Sequence, residues 1–207
     1  MPRLGATNVT IHPSGPLYPK THWEIQRVGL LTRTLIVADS QFKAIKGLPD
    51  DCEVHVFPGA KLSHVVAILG RLSKKLGTTG PRLQNIIIHV GINNRDLAWS
   101  GTVVDLNKLT LLLLSKLPEP LKGYFMGVSI PPEIPQHEKA TLSQINDRAK
   151  SRMGEQYIDP LPTDKVSVDP LDFYKIHYDR STLDSISGIL CQSFLSMTPP
   201  HPKRLSL

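Results

Sequence analysis

The sequence predicts a three-layer α/β/α sandwich around a five-stranded parallel sheet. Short runs rich in β-branched residues alternate with amphipathic stretches in strand-helix order. Several of those runs are almost continuously apolar, the pattern of strands covered on both faces. The turns that close them carry small and polar residues, at the strand ends where open α/β sheets hold ligands.

The chain has 207 residues, of which 40% are hydrophobic, enough for one domain with a real core. Residues 1–31 hold Pro2, Pro13, Pro16 and Pro19 with Gly5, Gly15 and Gly29, and show no sustained period. They read as a partly disordered arm, with His22 and Trp23 docking its end onto a domain of residues 32–197. The tail TPPHPKRLSL, 198–207, reads as disordered.

Within the domain, residues 34–41 (TLIVADSQ) form a buried strand that delivers a serine to its carboxyl end. Residues 41–47 have room for only a short helical turn before Pro49. The alternating run 52–57 (CEVHVF) is the second strand, closed by Pro58-Gly59. Leu62, Val65, Val66, Leu69, Leu72 and Leu76 then recur at spacings of three and four, an amphipathic helix with Ser63 as its cap. The third strand is 85–90 (NIIIHV), ending in Gly91-Ile92-Asn93-Asn94. A leucine-rich helix follows over 102–117 and stops at Pro118 and Pro120. The fourth strand is 124–130, broken by Pro131-Pro132, and a helix spans 138–153. A short strand at Tyr157 and Ile158 precedes an irregular stretch with prolines at 160, 162 and 170. The closing helix, about 180–196, buries Leu183, Ile186, Ile189, Leu190 and Phe194 on one face. Strand-helix alternation makes the sheet parallel and the crossovers right-handed.

Composition narrows the function. The formal charge is +6, from 24 basic and 18 acidic residues, and no dense basic run is present. That excess is compatible with weak contact to nucleic acid or an anionic surface and requires neither. Cys52 and Cys191 lie far apart outside any CxxC pair and read as two buried free thiols in a reducing compartment. No signal peptide is apparent and no run reaches the ~20 apolar residues of a membrane span, so an intracellular location is expected. P-loop, GxGxxG, HExxH and GxSxG motifs are absent. His55, His64 and His89 fall on a strand, a helix and a strand without paired ligand spacing, so packing is expected of them and metal ligation is not.

Four signals remain, each at a strand end or before the last helix: Ser40, Gly59, Asn93 and His177. A hydroxyl, an unhindered backbone amide, a carboxamide donor and an imidazole are the parts that acyl transfer requires, namely nucleophile, oxyanion donors and general base.

The blocks Ala38-Asp39-Ser40, Phe57-Pro58-Gly59-Ala60, Gly91-Ile92-Asn93-Asn94 and Tyr174-Lys175-Ile176-His177 resemble, in this order, those of the SGNH (GDSL-type) hydrolase superfamily. The phrases LIVADSQ, FPGAKLSH and GINNRD are most similar to SGNH-like domains encoded by animal retroelements. The resemblance covers about residues 33–196 and implies a flavodoxin-like sandwich and a small acyl or acetyl ester as substrate, cleaved without cofactor or metal. It implies Ser40 as nucleophile, His177 as base, and an oxyanion site formed by the amides of Ser40 and Gly59 with the Asn93 side chain.

Three positions depart from that pattern. Ala38 stands where the family has glycine and Asn94 where it has aspartate. The family's triad aspartate falls on Tyr174, which can accept a hydrogen bond from imidazole but brings no charge to stabilise an imidazolium. Asp172 and Asp169 are the alternative orienters of the ring. With Tyr174 in that role, a catalytically degraded module that binds nucleic acid, membrane or protein is the competing reading.

Overall fold

The computed structural model describes residues 8–14, 23–76 and 81–197. His22 and the tail 198–207 lie outside the described residues, as does most of 1–22. Six parallel strands form one sheet: β1 (Asn8–Ile11), β2 (Thr34–Ala38), β3 (Cys52–Val56), β4 (Asn85–His89), β5 (Lys122–Met126) and β6 (Tyr157–Ile158). Their order is β1-β3-β2-β4-β5-β6. Four helices cover the faces: α1 (Leu62–Ser73), α2 (Trp99–Ser115), α3 (Gln136–Met153) and α4 (Arg180–Met197).

The three central strands are buried along their whole length, which is why they read as apolar runs. Alternation divides β2, β4 and β5 between two cores, while β3 gives its apolar residues to one. Leu35, Val37, Ile86, Ile88 and Phe125 pack with Leu62, Val65, Leu69, Leu109 and Leu142 from α1, α2 and α3. Ile36, Ala38, Val54, Val56, Ile87 and Met126 pack on the other face with Leu183, Ile186 and Leu190 of α4.

The expected five strands become six because β1 adds to the outer edge of β3, in register Asn8↔Glu53 to Ile11↔Val56. This strand is largely exposed and only four residues long, with Val9 alone part-buried against the α4-side core, so its alternation is too short to read as a strand from the sequence. Polar contacts anchor it: His12 Nε2 lies 2.8 Å from His55 Nδ1, and His55 Nε2 lies 2.6 Å from Glu53 Oε1. Burial alone would raise the Glu53 carboxyl, but hydrogen bonds from His55, Gly29 and Thr32 outweigh it and hold the group below its usual range. The end of the expected arm also joins the domain, since Trp23, Ile25 and Val28 belong to the core on the α1 face.

Other boundaries shift for local reasons. The fourth expected strand stops at Met126 because its neighbour β6 is only two residues long. Beyond it the Asn146 carboxamide stands in for a strand, donating to Val128 O and accepting from Val128 N, both at 2.9 Å. Ser63 is already helical and does not cap α1. The cap position is Lys61, whose N–H donates to His64 Nδ1 at 3.2 Å. Cys52 is a buried free thiol as expected, whereas Cys191 is only half-buried. No helix among the described residues is long and apolar enough to cross a membrane.

The chain steps from β2 to β3 on one side and then crosses to β4 on the other. That reversal opens a crevice at the carboxyl ends of β2 and β4, where ligands of such sheets bind. Ser40, Gly59 and Asn93 follow the carboxyl ends of β2, β3 and β4.

Candidate active site

Asp39 and Ser40 leave the sheet together at the end of β2. Asp39 caps the 3-10 turn Ser40–Phe42, its Oδ1 accepting from Gln41 N at 3.1 Å while Oδ2 accepts from Gly91 N at 3.3 Å. One carboxyl thus ties the ends of β2 and β4. Complete burial pushes it up to about 7, more than the backbone hydrogen bonds from Gln41, Gly91 and Ile92 can offset.

The closing loop brings His177 over this turn. Its Nε2 lies 3.1 Å from Ser40 Oγ, and its Nδ1 lies 3.0 Å from Asp172 Oδ2. A carboxylate can only accept, so the proton sits on Nδ1 and the Nε2 lone pair faces the hydroxyl. The same Oδ2 accepts from the backbone N–H groups of Ile176 and His177, each at 2.8 Å. Burial would raise the Asp172 carboxyl, but those two amides and the His177 ring outweigh it and hold the group down to about 2. Asp172 therefore faces the imidazole as an anion.

Of the three orienters read from the sequence, Asp172 reaches the ring. Tyr174 is 65% exposed, with its ring edge-on to Phe173 at 5.3 Å. Asp169 instead holds the loop, accepting from Leu171 N at 2.9 Å. The acid thus precedes the histidine by five residues where the family pattern has three. The additional length is taken up by a turn at Asp172, whose Oδ1 accepts from Tyr174 N at 3.3 Å, and by Lys175 in the left-handed region at φ 53°. Lys175 is the positive-φ residue other than glycine among those described, and its Nζ closes the loop on Pro170 O at 2.9 Å. A conformation that costs an ordinary residue ~1–2 kcal/mol is held by the contacts around it.

The expected oxyanion donors lie on neighbouring loops. Gly59 has φ 77°, and the space where a side chain would project is open to 4 Å. Asn93 Nδ2 donates to Ala60 O at 3.0 Å, which orients its amide and leaves the second N–H. Asn94, in the family's aspartate position, still serves as an acceptor: its Oδ1 takes Leu62 N at 3.0 Å at the start of α1.

A cavity of about 280 Å³ opens beside Ser40 and His177, bordered by Lys43, Ala44, Leu171 and Leu183. Two larger grooves of about 580 and 490 Å³ lie around Lys122, Tyr124 and Glu155, remote from any paired nucleophile and base. Among the described residues no group of three or more His, Cys, Asp and Glu side chains is arranged to hold a metal ion. His55 is engaged by Glu53 and His12, His64 packs edge-on against Trp23, and His89 is wholly buried.

Sequence reasoning missed Gln41. This side chain is 2% exposed and donates to Ile176 O at 2.9 Å, inside the histidine loop. Its place next to Ser40 was the only available signal.

Comparison with protein-family models returns no match, and comparison with curated protein sequences returns none either. Solved structures do match in fold. A GDSL-like lipase from Bacteroides thetaiotaomicron superposes with TM-score 0.59 at 11% identity, over 84% of this chain and 93% of that one. The M. smegmatis aryl esterase gives TM-score 0.58 at 14% identity, over 81% and 100%. The C-terminal catalytic domain of Streptococcus pneumoniae peptidoglycan O-acetyltransferase A, carrying a methylsulfonyl adduct, gives 0.52 at 12%, over 82% and 93%. The fold is thus that of the GDSL/SGNH hydrolases. The narrower resemblance to retroelement-encoded domains draws no support from these comparisons.

Proposed function

We propose that the protein is a serine ester hydrolase acting on small acyl or acetyl esters. The observation that carries this reading is the aligned set Ser40 Oγ, His177 and Asp172, joined by contacts of 3.1 and 3.0 Å at the mouth of the sheet. Ser40 Oγ attacks the ester carbonyl while His177 Nε2 takes its proton, and the Asp172 anion stabilises the imidazolium that forms. The developing oxyanion is held by the amides of Ser40 and Gly59 and by the Asn93 side chain. His177 returns the proton to the departing alcohol, and water then cleaves the acyl-serine by the same route.

The cavity of about 280 Å³ suits a short acyl group. The solved neighbours, a GDSL-like lipase, an aryl esterase and an O-acetyltransferase domain, support acyl-ester chemistry without naming the substrate. Of the two grounds for reading a degraded module, the mild basic excess and an uncharged residue in the acid's role, the second is met by Asp172, which supplies a charge there.

Hydrolysis of p-nitrophenyl acetate by wild type and Ser40→Ala tests the proposal. Loss of at least about a thousandfold in kcat is expected. Equal rates would contradict it.

A further inference from the structure

Burying a polar side chain is costly unless its hydrogen bonds are made, so the partners of a buried amide are informative. Gln41 Nε2 donates to Ile176 O at 2.9 Å, and its Oε1 lies 3.3 Å from His89 Nε2. The carboxamide can point only one way, because a carbonyl accepts and never donates. The nitrogen must therefore face Ile176 and the oxygen must face His89. His89 suits this role: its ring stacks on Phe42 at 4.2 Å, and burial lowers it to about 3, leaving a neutral imidazole whose Nε2 can donate to Gln41.

The carbonyl that Gln41 grips belongs to the peptide joining Ile176 to His177. The other end of that peptide, His177 N–H, is held by Asp172 Oδ2 at 2.8 Å. A peptide unit is planar and rigid, so fixing its C=O and its N–H fixes where the His177 Cα departs. The contacts close a ring from Ser40 through the Gln41 side chain, the 176–177 peptide and the imidazole, back to Ser40 Oγ at 3.1 Å.

We propose that Gln41 is a positioning residue that carries the nucleophile's own turn across to the His177 peptide and so sets the distance between hydroxyl and imidazole. The inference rests on the hydrolase reading above and extends it to a residue outside the Ser40, His177 and Asp172 set that borders the same cavity.

Three variants test it. Gln41→Met keeps the length and loses the hydrogen bonds to Ile176 O and His89, along with that to Tyr178. It is expected to lower kcat for p-nitrophenyl acetate by roughly 10- to 100-fold, the scale of a misplacement near 1 Å, with KM within about twofold. Gln41→Glu, when protonated, can again donate to Ile176 O and accept from His89. Asp39, His89, Tyr178 and the Asp172–His177 pair are the titratable groups around it. Its activity relative to wild type is expected to exceed that of Gln41→Met at low pH and to fall to that level as the new carboxyl ionises. Ser40→Ala reports separately on the hydrolase reading. The His177 Nδ1–H proton resonance, followed by NMR, gives a readout independent of turnover and is expected to broaden or shift in Gln41→Met.

Wild-type kcat in Gln41→Met would overturn the proposal. So would a Gln41→Glu activity equal to that of Gln41→Met at every pH, or an unchanged Nδ1–H resonance in Gln41→Met even if Ser40→Ala proved fully active. Should Gln41→Met fail to fold, Gln41→Glu alone decides.

Discussion

At the scale of single residues, chemistry turns on which group stands behind His177. Asp172 is ionised there, and an amide in its place would remove the charge and favour the wrong tautomer. Asp172→Asn should lower kcat by about 10³- to 10⁴-fold. Tyr174, exposed and 65% accessible, should tolerate replacement by Phe with kcat within about twofold. Steady-state kinetics of the two variants separate the roles. The two carboxylates of the site, Asp39 buried and Asp172 part-buried, also couple to pH in opposite directions. Asp172 falls from an unfolded value near 3.9 to about 2, so its stabilising contribution is present above about pH 4 and is lost as pH falls through 2. Asp39 rises to about 7, so the native state keeps a proton that the unfolded chain has released. Stability on its account declines from about pH 4 and levels off above 7. Site-specific carboxyl ¹³C shifts, titrated with pH, should show midpoints near these two values.

At the scale of elements, the site depends on close approaches and on side chains that replace missing backbone partners. Gly123 of β5 is one such approach: a Cβ there would come within 2.7 Å of Leu113 O and 2.8 Å of Leu113 Cβ on α2. Gly123→Ala must push α2 from the sheet and should cost about 1–3 kcal/mol in urea unfolding. Asn146→Ala leaves both backbone groups of buried Val128 without their partner. The cost should be about 2–4 kcal/mol in the same experiment. These same features explain what sequence reading could reach. The buried strands were legible because each is an apolar run ending in a turn, and Ser40, which meets His177, was legible because it stands at such an end. The edge strand β1 was not, since its alternation, Asn8-Val9-Thr10-Ile11, runs for only four residues and its anchors, His12, His55 and Glu53, meet only in space. The acid was ambiguous for a similar reason. Asp172 reaches the ring through a left-handed Lys175 and a turn, and neither leaves a fixed spacing to read.

At the scale of the whole molecule, one sheet serves two cores, and β2, β4 and β5 contribute side chains to both. Leu69→Ala on the α1 face and Ile186→Ala on the α4 face should each cost about 2–5 kcal/mol. Both should lower a single shared urea transition, because neither core persists without the sheet. The same sheet positions the candidate site, since the reversal between β2 and β4 brings together residues from distant parts of the sequence. Ser40 and His177 are separated by 137 positions and meet at 3.1 Å. In the proposed reaction Ser40 is a nucleophile activated through His177 and Asp172. Mass spectrometry after treatment with a p-nitrophenyl alkylphosphonate tests it most directly. One phosphonyl group per chain, located on the Ser40 peptide and suppressed in His177→Ala and Asp172→Asn, is the predicted result. An unlabelled Ser40, or labelling undiminished in His177→Ala, would contradict it.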